Sequence, residues 1–156
     1  MAKPEPTAAA GVAEYRGASA LTDDLSFLLA RANARSIAAG NAALSEHGLR
    51  ARSYSVLALA ASDSRPTQRE LAEFLWLDPS QVVALVDDLE SRGLVRREPD
   101  PNDRRAKVVQ ATKEGRVRFA AAQESARSAE LDQHSKLTAA QREQLGVLLR
   151  EIAFSG

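Results

Sequence analysis

Residues 77–93 read LDPSQVVALVDDLESRG, and this stretch decides the fold because it predicts a helix with both ends defined. Asp78 can accept backbone N–H bonds as the N-cap, Pro79 suits the first helical position, and Gln81 can complete a capping box. Gly93 supplies a left-handed stop. Between these ends, apolar residues recur at helical spacing and predict one buried stripe: Val82, Leu85, Val86 and Leu89.

The residues before this helix predict a second, shorter one. Thr67 and Glu70 have the spacing of a capping box. The apolar set of this helix is Leu71, Phe74 and Leu75. Only residues 76–78 separate the two helices, which leaves room for a sharp turn only, and Trp76 in that turn is expected to pack over the pair. The arrangement predicts a helix-turn-helix, whose second helix would lie in a groove of DNA.

After the helix pair, the hydrophobic period changes from helical to alternating. Residues 94–98 predict a strand, residues 99–105 a turn-rich loop, and residues 106–111 the returning strand. The loop tip carries Arg104 and Arg105. A helix-turn-helix followed directly by such a hairpin is a winged helix, so the expected fold class is mostly α with a small β-hairpin wing.

The whole run resembles the MarR family of bacterial transcriptional regulators. The resemblance rests on ELA at 70–72, LVD at 85–87, LESRGLV at 89–95, DPNDRRA at 100–106 and TKEG at 112–115. The wing motif Asp-Arg-Arg-Ala, followed by Thr-x-x-Gly, is the specific part. The resemblance implies a homodimer that binds double-stranded DNA at a pseudo-palindromic operator, most often as a repressor, with a small aromatic or phenolic effector that releases the DNA.

The expected domain organisation follows from the same reading. We predict a flexible tail over residues 1–20 and a single domain over residues 21–156. Within this domain the winged helix-turn-helix covers about 52–111, flanked by dimerisation helices at about 21–47 and 112–154. In the family the first and the last two helices of two subunits intertwine. The last helix here carries an apolar stripe compatible with such a homodimer: Leu145, Leu148, Leu149 and Ile152.

Further details of the flanking helices are also predicted. Asp23 and Asp24 should lie in the first turn of the first helix. Thr112 should cap the penultimate helix, and Thr138 with Gln141 should form a capping box for the last. The penultimate helix is predicted to run through Val117, Ala120, Ala121 and Glu124 to about Lys136.

The outer face of the recognition helix near its N-terminus is predicted to meet base edges. Gln81 can pair with adenine, Ser80 with a base or a phosphate, and Ala84 with a thymine methyl group. Val83 shares this face. In the family, arginines are common at the positions of Ala84 and Asp88, and this chain lacks them. The wing is therefore expected to contribute more to DNA affinity than the recognition helix does.

The wing is predicted to insert an arginine into the minor groove, since a narrow A·T-rich groove attracts guanidinium groups. Asp103 can hold one guanidinium in a bidentate pair while the other stays free. The resemblance makes Arg105 the groove residue and Asp103 its organiser. The assignment between Arg104 and Arg105 stays open.

Composition bounds the remaining possibilities. The chain of 156 residues has 21 basic and 21 acidic side chains, so binding to nucleic acid must come from local clustering, and residues 92–107 hold six basic against three acidic groups. The absence of cysteine excludes disulfides and thiol redox sensing. Neither a membrane-spanning run nor the apolar core of a signal peptide is present, so a cytoplasmic protein is expected.

Other polar residues give weaker indications. In the family, a crevice between the dimer helices and the winged helix takes small aromatic anions, and Asn33, His47 and Tyr54 are the polar residues expected nearest to it. Capping for His47 and core packing for Tyr54 are the alternative interpretations.

The inventory of reactive groups does not indicate an enzyme, a cofactor or a metal site, because no phosphate loop, activated nucleophile or ligand cluster is present. Two alternatives to a ligand-controlled repressor stay open. One is a winged helix used only for protein contacts, and the other is a DNA-binding protein that responds to no ligand.

Overall fold

The structure is a computed structural model that describes residues 19–103 and 105–155, with the backbone alone at 19 and 20. The predicted tail therefore lies outside the described residues, except for its last two. The chain divides into an N-terminal unit that ends at Ser36 and a C-terminal unit that begins at Ile37.

The N-terminal unit contains a short helix and the first part of a long one. Helix α1 covers Ser19–Thr22, and α2 covers Leu25–Leu44 and continues into the C-terminal unit. The expectation that Asp24 lies inside the first turn is wrong. Asp24 precedes α2, and its Oδ1 accepts the backbone N–H of Phe27 at 2.7 Å, so the carboxylate satisfies a free donor at the start of the helix.

The C-terminal unit has the order of elements that the sequence predicts, which confirms a mostly α fold with a β-hairpin. A 3-10 turn at Ser45–His47 ends the long helix and precedes a left-handed Gly48. The remaining elements are α3 (Ala51–Ala61), α4 (Gln68–Leu75), α5 (Pro79–Ser91), β1 (Val95–Pro99), β2 (Lys107–Ala111), α6 (Lys113–Gln133) and α7 (Ala139–Phe154).

The helix pair α4 and α5 is capped largely as predicted. The Thr67 hydroxyl accepts the N–H of Glu70 at 3.2 Å, and the Glu70 carboxylate accepts the N–H of Thr67 at 2.7 Å. At the start of α5, Asp78 accepts the N–H of Ser80 at 2.8 Å. The predicted return bond from the Gln81 side chain to the backbone of Asp78 is absent from the described part of the chain, and the Asp78 carboxylate also accepts the Ser80 hydroxyl. Gly93, with a φ of 69°, ends the helix as expected.

The buried side of the helix pair forms the centre of the core. Val82, Val86 and Leu89 of α5 are fully buried, and Leu85 is half-buried. Two expectations are wrong here. Phe74 is 61% exposed and meets the ring of Phe154 at a centroid distance of 6.0 Å, and Trp76 is 93% exposed. Trp76 takes the left-handed conformation that ends α4, with a φ of 53°, and its side chain lies in solvent instead of over the helices.

The wing is a two-stranded antiparallel hairpin in which Val95 pairs with Ala111 and Arg97 with Val109. Its base is fixed to the segment before α4, since the N–H of Val109 donates to the carbonyl of Pro66 at 2.8 Å. Val95, Val108 and Val109 are buried, whereas the residues described at the tip are mostly exposed. The base of the wing is therefore part of the core, and its tip projects from it.

Helix α6 is capped by Thr112, as predicted, and it ends at Gln133, a few residues before the predicted end near Lys136. Gly115 and Ala122 are buried, while Val117 is 61% exposed. The reason is that the backbone of α6 at Gly115 lies very close to the backbone of Leu94. A Cβ atom built on Gly115 would lie 1.9 Å from the carbonyl oxygen of Leu94. Glycine at this position fixes the rotation of the helix. The helix includes the predicted residues Val117, Ala120, Ala121 and Glu124, and all four lie on its exposed side.

Helix α7 has the predicted capping box between Thr138 and Gln141 and the predicted stripe, with no buried residue among those described. Its exposed apolar residues include Leu145, Leu148, Leu149 and Ile152. Among the described helices, none is long and apolar enough to cross a membrane.

Candidate nucleic-acid interface

The first part of the interface is the outer face of α5, where the structure brings the predicted residues together. Ser80, Gln81 and Ala84 are exposed, and Val83 is 40% exposed. The Ser80 hydroxyl donates to Asp78, and this bond helps to hold the pKa of Asp78 below its ordinary value. Ser80 can therefore offer a ligand its oxygen lone pairs. The side-chain amide of Gln81 has no partner within the described residues, so both its N–H donors and its carbonyl acceptor are available.

The second part is the wing tip, which is shaped by two aspartates. Asp100 Oδ1 accepts the N–H of Asn102 at 2.8 Å, and Asp103 Oδ1 accepts the N–H of Arg105 at 2.9 Å. The carbonyl of Asp103 also accepts the N–H of Ala106 at 2.9 Å. Asp103 thus organises the tip through the backbone, and the predicted ion pair with a guanidinium is not formed with Arg105. Arg104 lies outside the described residues.

Most of the described basic side chains in residues 92–107 are paired with carboxylates, so the free positive charge is smaller than a count along the sequence indicates. Arg92 pairs with Asp88 at 3.0 Å, and Arg96 pairs with Glu98 at 2.7 Å. Arg97 pairs with two carboxylates of α5. In the described part of this segment, the cations without an acidic partner are Arg105 and Lys107. Unbalanced positive charge is therefore concentrated at the tip and at the start of β2.

The network around Arg97 is the feature that the sequence did not reveal. The Nε of Arg97 donates to Gln68 Oε1 at 2.6 Å, and its two terminal nitrogens donate to Asp87 and Glu90. The Arg97 backbone N–H also donates to Glu90 at 2.9 Å, which is the main cause that lowers the pKa of this carboxyl. Asp87 and Glu90 are three residues apart on one face of α5, a spacing that could have suggested a shared cation on β1.

Two of the three predicted ligand-contacting residues, His47 and Tyr54, make contacts within the protein. The Nε2 of His47 lies 2.9 Å from the Ser125 hydroxyl of α6, and the carbonyl of His47 accepts from Arg118 at 3.1 Å. The ring of Tyr54 lies 5.6 Å from that of Phe119, and burial raises the pKa of Tyr54. Asn33 is exposed in the N-terminal unit. His47 and Tyr54 therefore both contact α6, which agrees with the packing interpretation of Tyr54, whereas the described bond of the His47 side chain goes to another helix and is not a helix cap.

A shallow groove of about 430 Å³ opens beside the 3-10 turn. None of the three predicted ligand residues is among its lining residues, which are Asn41, Ala42, Ser45, Gly48, Leu49 and Arg50. Within residues 19–103 and 105–155, no group of three or more His, Asp or Glu side chains could hold a metal ion.

These elements, in this order and with these exposed faces, define a winged helix-turn-helix protein. The model of the MarR family matches residues 49–107. A MarR-family transcriptional regulator from Rhodococcus sp. RHA1 is 42% identical, covers 87% of this chain and 96% of its own, and superposes with a TM-score of 0.82. The chain belongs to the MarR family of transcriptional regulators.

Two further solved structures and one curated relative are informative. CouR from Rhodococcus jostii RHA1, bound to p-coumaroyl-CoA, is 43% identical with a TM-score of 0.80, and the match covers 87% of this chain and 96% of CouR. A mutant MarR from E. coli, complexed with operator DNA, is 26% identical with a TM-score of 0.74 and coverages of 82% and 92%.

The curated relative is named as a transcriptional regulatory protein for the hcr operon of Thauera aromatica. It is 29% identical over 99 residues. The match includes 64% of this chain and spans 60% of the length of that relative.

Proposed function

We propose that this protein represses transcription by binding a pseudo-palindromic operator as a homodimer, and that a small aromatic ligand releases the DNA. The observation that carries the proposal is one continuous module in which two exposed groups have no partner among the described residues. These are the Gln81 amide on the recognition helix and the Arg105 side chain at the wing tip. The structure of the MarR mutant from E. coli complexed with operator DNA supports this use of the fold.

The two groups have different roles in the proposed complex. Gln81 reads a base edge in the major groove, and Arg105 enters the adjacent minor groove. Asp103 holds the loop that presents Arg105, through the backbone bond described above. The remaining proposed contacts are to phosphates or thymine methyl groups and come from Ser80, Val83, Ala84 and Arg104.

A homodimer is proposed because α7 exposes its apolar stripe. The exposed fractions of Leu145, Leu148, Leu149 and Ile152 lie between 38% and 58%, which is unusual for a contiguous helix face in a monomer. A two-fold partner would cover this stripe and place two recognition helices in successive major grooves, about 34 Å apart. The operator would then be pseudo-palindromic.

The ligand is proposed from the relatives. CouR binds p-coumaroyl-CoA, and it shares 43% of its aligned residues with this chain. We therefore propose an aromatic carboxylic acid or its CoA thioester as the effector, with Asn33, His47 and Tyr54 as the contacting residues. Binding at His47 would compete with its bond to Ser125, which gives the ligand a route to move α6 against the 3-10 turn.

The role of the wing is tested by the salt dependence of binding to DNA from the region upstream of the protein's own gene. Arg105→Ala removes one cation from each half-site, so the slope of log K against log salt should flatten by roughly 1.8, and affinity should fall for all sequences alike. Arg127→Ala is the matched control, because it removes an equally exposed cation from α6. Equal slopes for both variants would contradict the role of the wing.

The role of the recognition helix is tested by Gln81→Ala, which changes no charge. Specific binding should weaken by about 1 to 3 kcal/mol per half-site, with an almost unchanged salt slope. Because α5 lacks the arginines usual in its relatives, the wing substitution should have the larger effect. If neither variant alters binding, or if the wild type binds no DNA at low salt, the protein-contact alternative replaces this proposal.

The ligand is tested by adding p-coumaroyl-CoA, p-coumarate or CoA to the preformed complex. Release by the thioester or by the free acid, but not by CoA, is expected if the aromatic part is recognised. If none of the three compounds changes the affinity, the alternative of a ligand-insensitive DNA-binding protein is favoured.

A further inference from the structure

We propose that Arg97 is the positioning residue that fixes the wing against the recognition helix, so that the wing and α5 bind DNA as one unit. The proposal rests on the DNA-binding function proposed above. Arg97 itself is not offered as a DNA contact, because its side chain is only 19% exposed and is engaged by three protein partners.

The geometry joins three elements through one guanidinium. Arg97 lies at the centre of β1, opposite Val109 of β2. Its side chain bonds Gln68 in the first turn of α4 and both Asp87 and Glu90 on α5. A planar guanidinium has five donors in a fixed fork, so bonds to three separate partners determine its position and its orientation.

The other attachments of the hairpin run to different parts of the protein. Val109 bonds the carbonyl of Pro66 in the segment before α4, and the buried valines pack into the core. In the described part of the chain, all the hydrogen bonds between β1 and α5 are made by Arg97. Two of these bonds come from the Arg97 side chain and one from its backbone N–H, so removal of the side chain leaves β1 tied to α5 by a single hydrogen bond.

Arg97 also has an electrostatic effect that an experiment must separate from positioning. It neutralises Asp87 and Glu90, while Arg92 neutralises the neighbouring Asp88. Without Arg97, two carboxylates on the recognition helix would lose their counter-charge and would repel DNA. A fall in affinity alone would therefore not establish a positioning role.

The discriminating experiment is a double-mutant cycle between Arg97→Met and Arg105→Ala, measured as affinity for DNA from the region upstream of the protein's own gene. If Arg97 positions the wing, the wing contact is already impaired in the Arg97→Met protein. The factor by which Arg105→Ala weakens binding should then be about fivefold smaller in that background than in the wild type. Equal factors in both backgrounds would overturn the proposal.

Three control variants address the alternatives. Arg96→Met removes a cation from the same strand, but its partner is Glu98 within the hairpin, so its effect should be additive with that of Arg105→Ala. The triple variant Arg97→Met, Asp87→Asn and Glu90→Gln removes the repulsion between the two carboxylates and DNA. It still lacks the Arg97 side chain, so the wing stays unpositioned. If this triple variant regains wild-type affinity and the full effect of Arg105→Ala, repulsion explains the loss and positioning is refuted. Arg97→Lys should restore the charge but only part of the coupling.

A measurement without DNA separates this inference from the proposed function. Hydrogen exchange across residues 95–111 should be faster in Arg97→Met than in the wild type, whereas exchange in the helix Ala139–Phe154 should be unchanged. Should Arg97→Met fail to fold, the Asp87→Asn and Glu90→Gln double variant replaces it in both measurements. A wild type that binds no duplex would refute the proposed function, and unchanged exchange in the hairpin would refute the positioning role.

Discussion

Gly115→Ala should destabilise the protein strongly, although this substitution usually stabilises a helix. A Cβ atom at Gly115 would lie 1.9 Å from the carbonyl oxygen of Leu94 and 2.9 Å from its carbonyl carbon. Both atoms are backbone atoms, so rotation of a side chain cannot relieve the clash. The start of α6 would have to move by roughly 1 Å away from the turn after α5.

The expected magnitude follows from the contacts at this junction. Overpacking of this kind destabilises by about 1 to 3 kcal/mol. The shift would also weaken the bonds from the Thr112 backbone N–H to Leu94, at 3.0 Å, and from the Thr112 hydroxyl to Gly93, at 2.7 Å, each worth about 1 kcal/mol. The better helix propensity of alanine returns about 1 kcal/mol. The net loss should be about 2 to 4 kcal/mol.

Urea unfolding measures this loss, and the protein concentration is held fixed because the stability of the proposed dimer would depend on it. Gly40→Ala is the matched control. A Cβ atom at Gly40, also within a helix, meets nothing within 4 Å in the described part of the chain, so this variant should be as stable as the wild type or slightly more stable. A Gly115→Ala protein with wild-type stability would refute the reasoning about the close approach.

Three further predictions concern other parts of the molecule. Leu148→Glu places a charge in the exposed stripe of α7 and should shift sedimentation from dimer to monomer, whereas a wild type that sediments as a folded monomer at micromolar concentration would contradict the dimer. Glu70→Gln should reduce the loss of stability in acid. The N–H and the hydroxyl of Thr67 hold the pKa of Glu70 below its ordinary value of 4.5. The contribution of the cap to the stability of the folded state is therefore complete above about pH 4.5 and is lost as the pH falls through the lower pKa that Glu70 has in the folded protein. Identical stability profiles of wild type and variant between pH 3 and 6 would contradict this. Trp76→Gly should stabilise the protein by about 1 kcal/mol, because glycine adopts the left-handed backbone conformation at this position without strain and the side chain that is removed is 93% exposed. A loss of stability in urea unfolding would show that Trp76 has a packing role.

The sequence predicts the winged helix well because its local signals are strong and agree with one another. Helix caps at Thr67, Asp78, Thr112 and Thr138 depend on residues that are close in the chain, and all four are observed. The period change after Gly93 also depends on neighbouring residues. Such features require no knowledge of the tertiary structure.

The features that the sequence did not predict depend on distant contacts. The inward face of α6 is set by the approach of Gly115 to Leu94, which no helical period reveals. The pairing of Arg97 with Asp87 and Glu90 joins residues on different elements, so counting charges along the chain overstated the free charge of the wing. The bond of Asp103 to the backbone N–H of Arg105 depends on the fold of the loop, and the predicted pairing of Asp103 with a guanidinium stays a prediction for Arg104, which lies outside the described residues.

The central claim is that this protein recognises a specific DNA sequence through its winged helix. The most direct test titrates the wild-type protein against a duplex from the region upstream of its own gene and against a scrambled duplex of the same composition and length, at one salt concentration. The proposed function predicts binding to the upstream duplex at least about 1,000-fold tighter than to the scrambled one. Equal affinity for the two duplexes, or no binding to either at low salt, would contradict it.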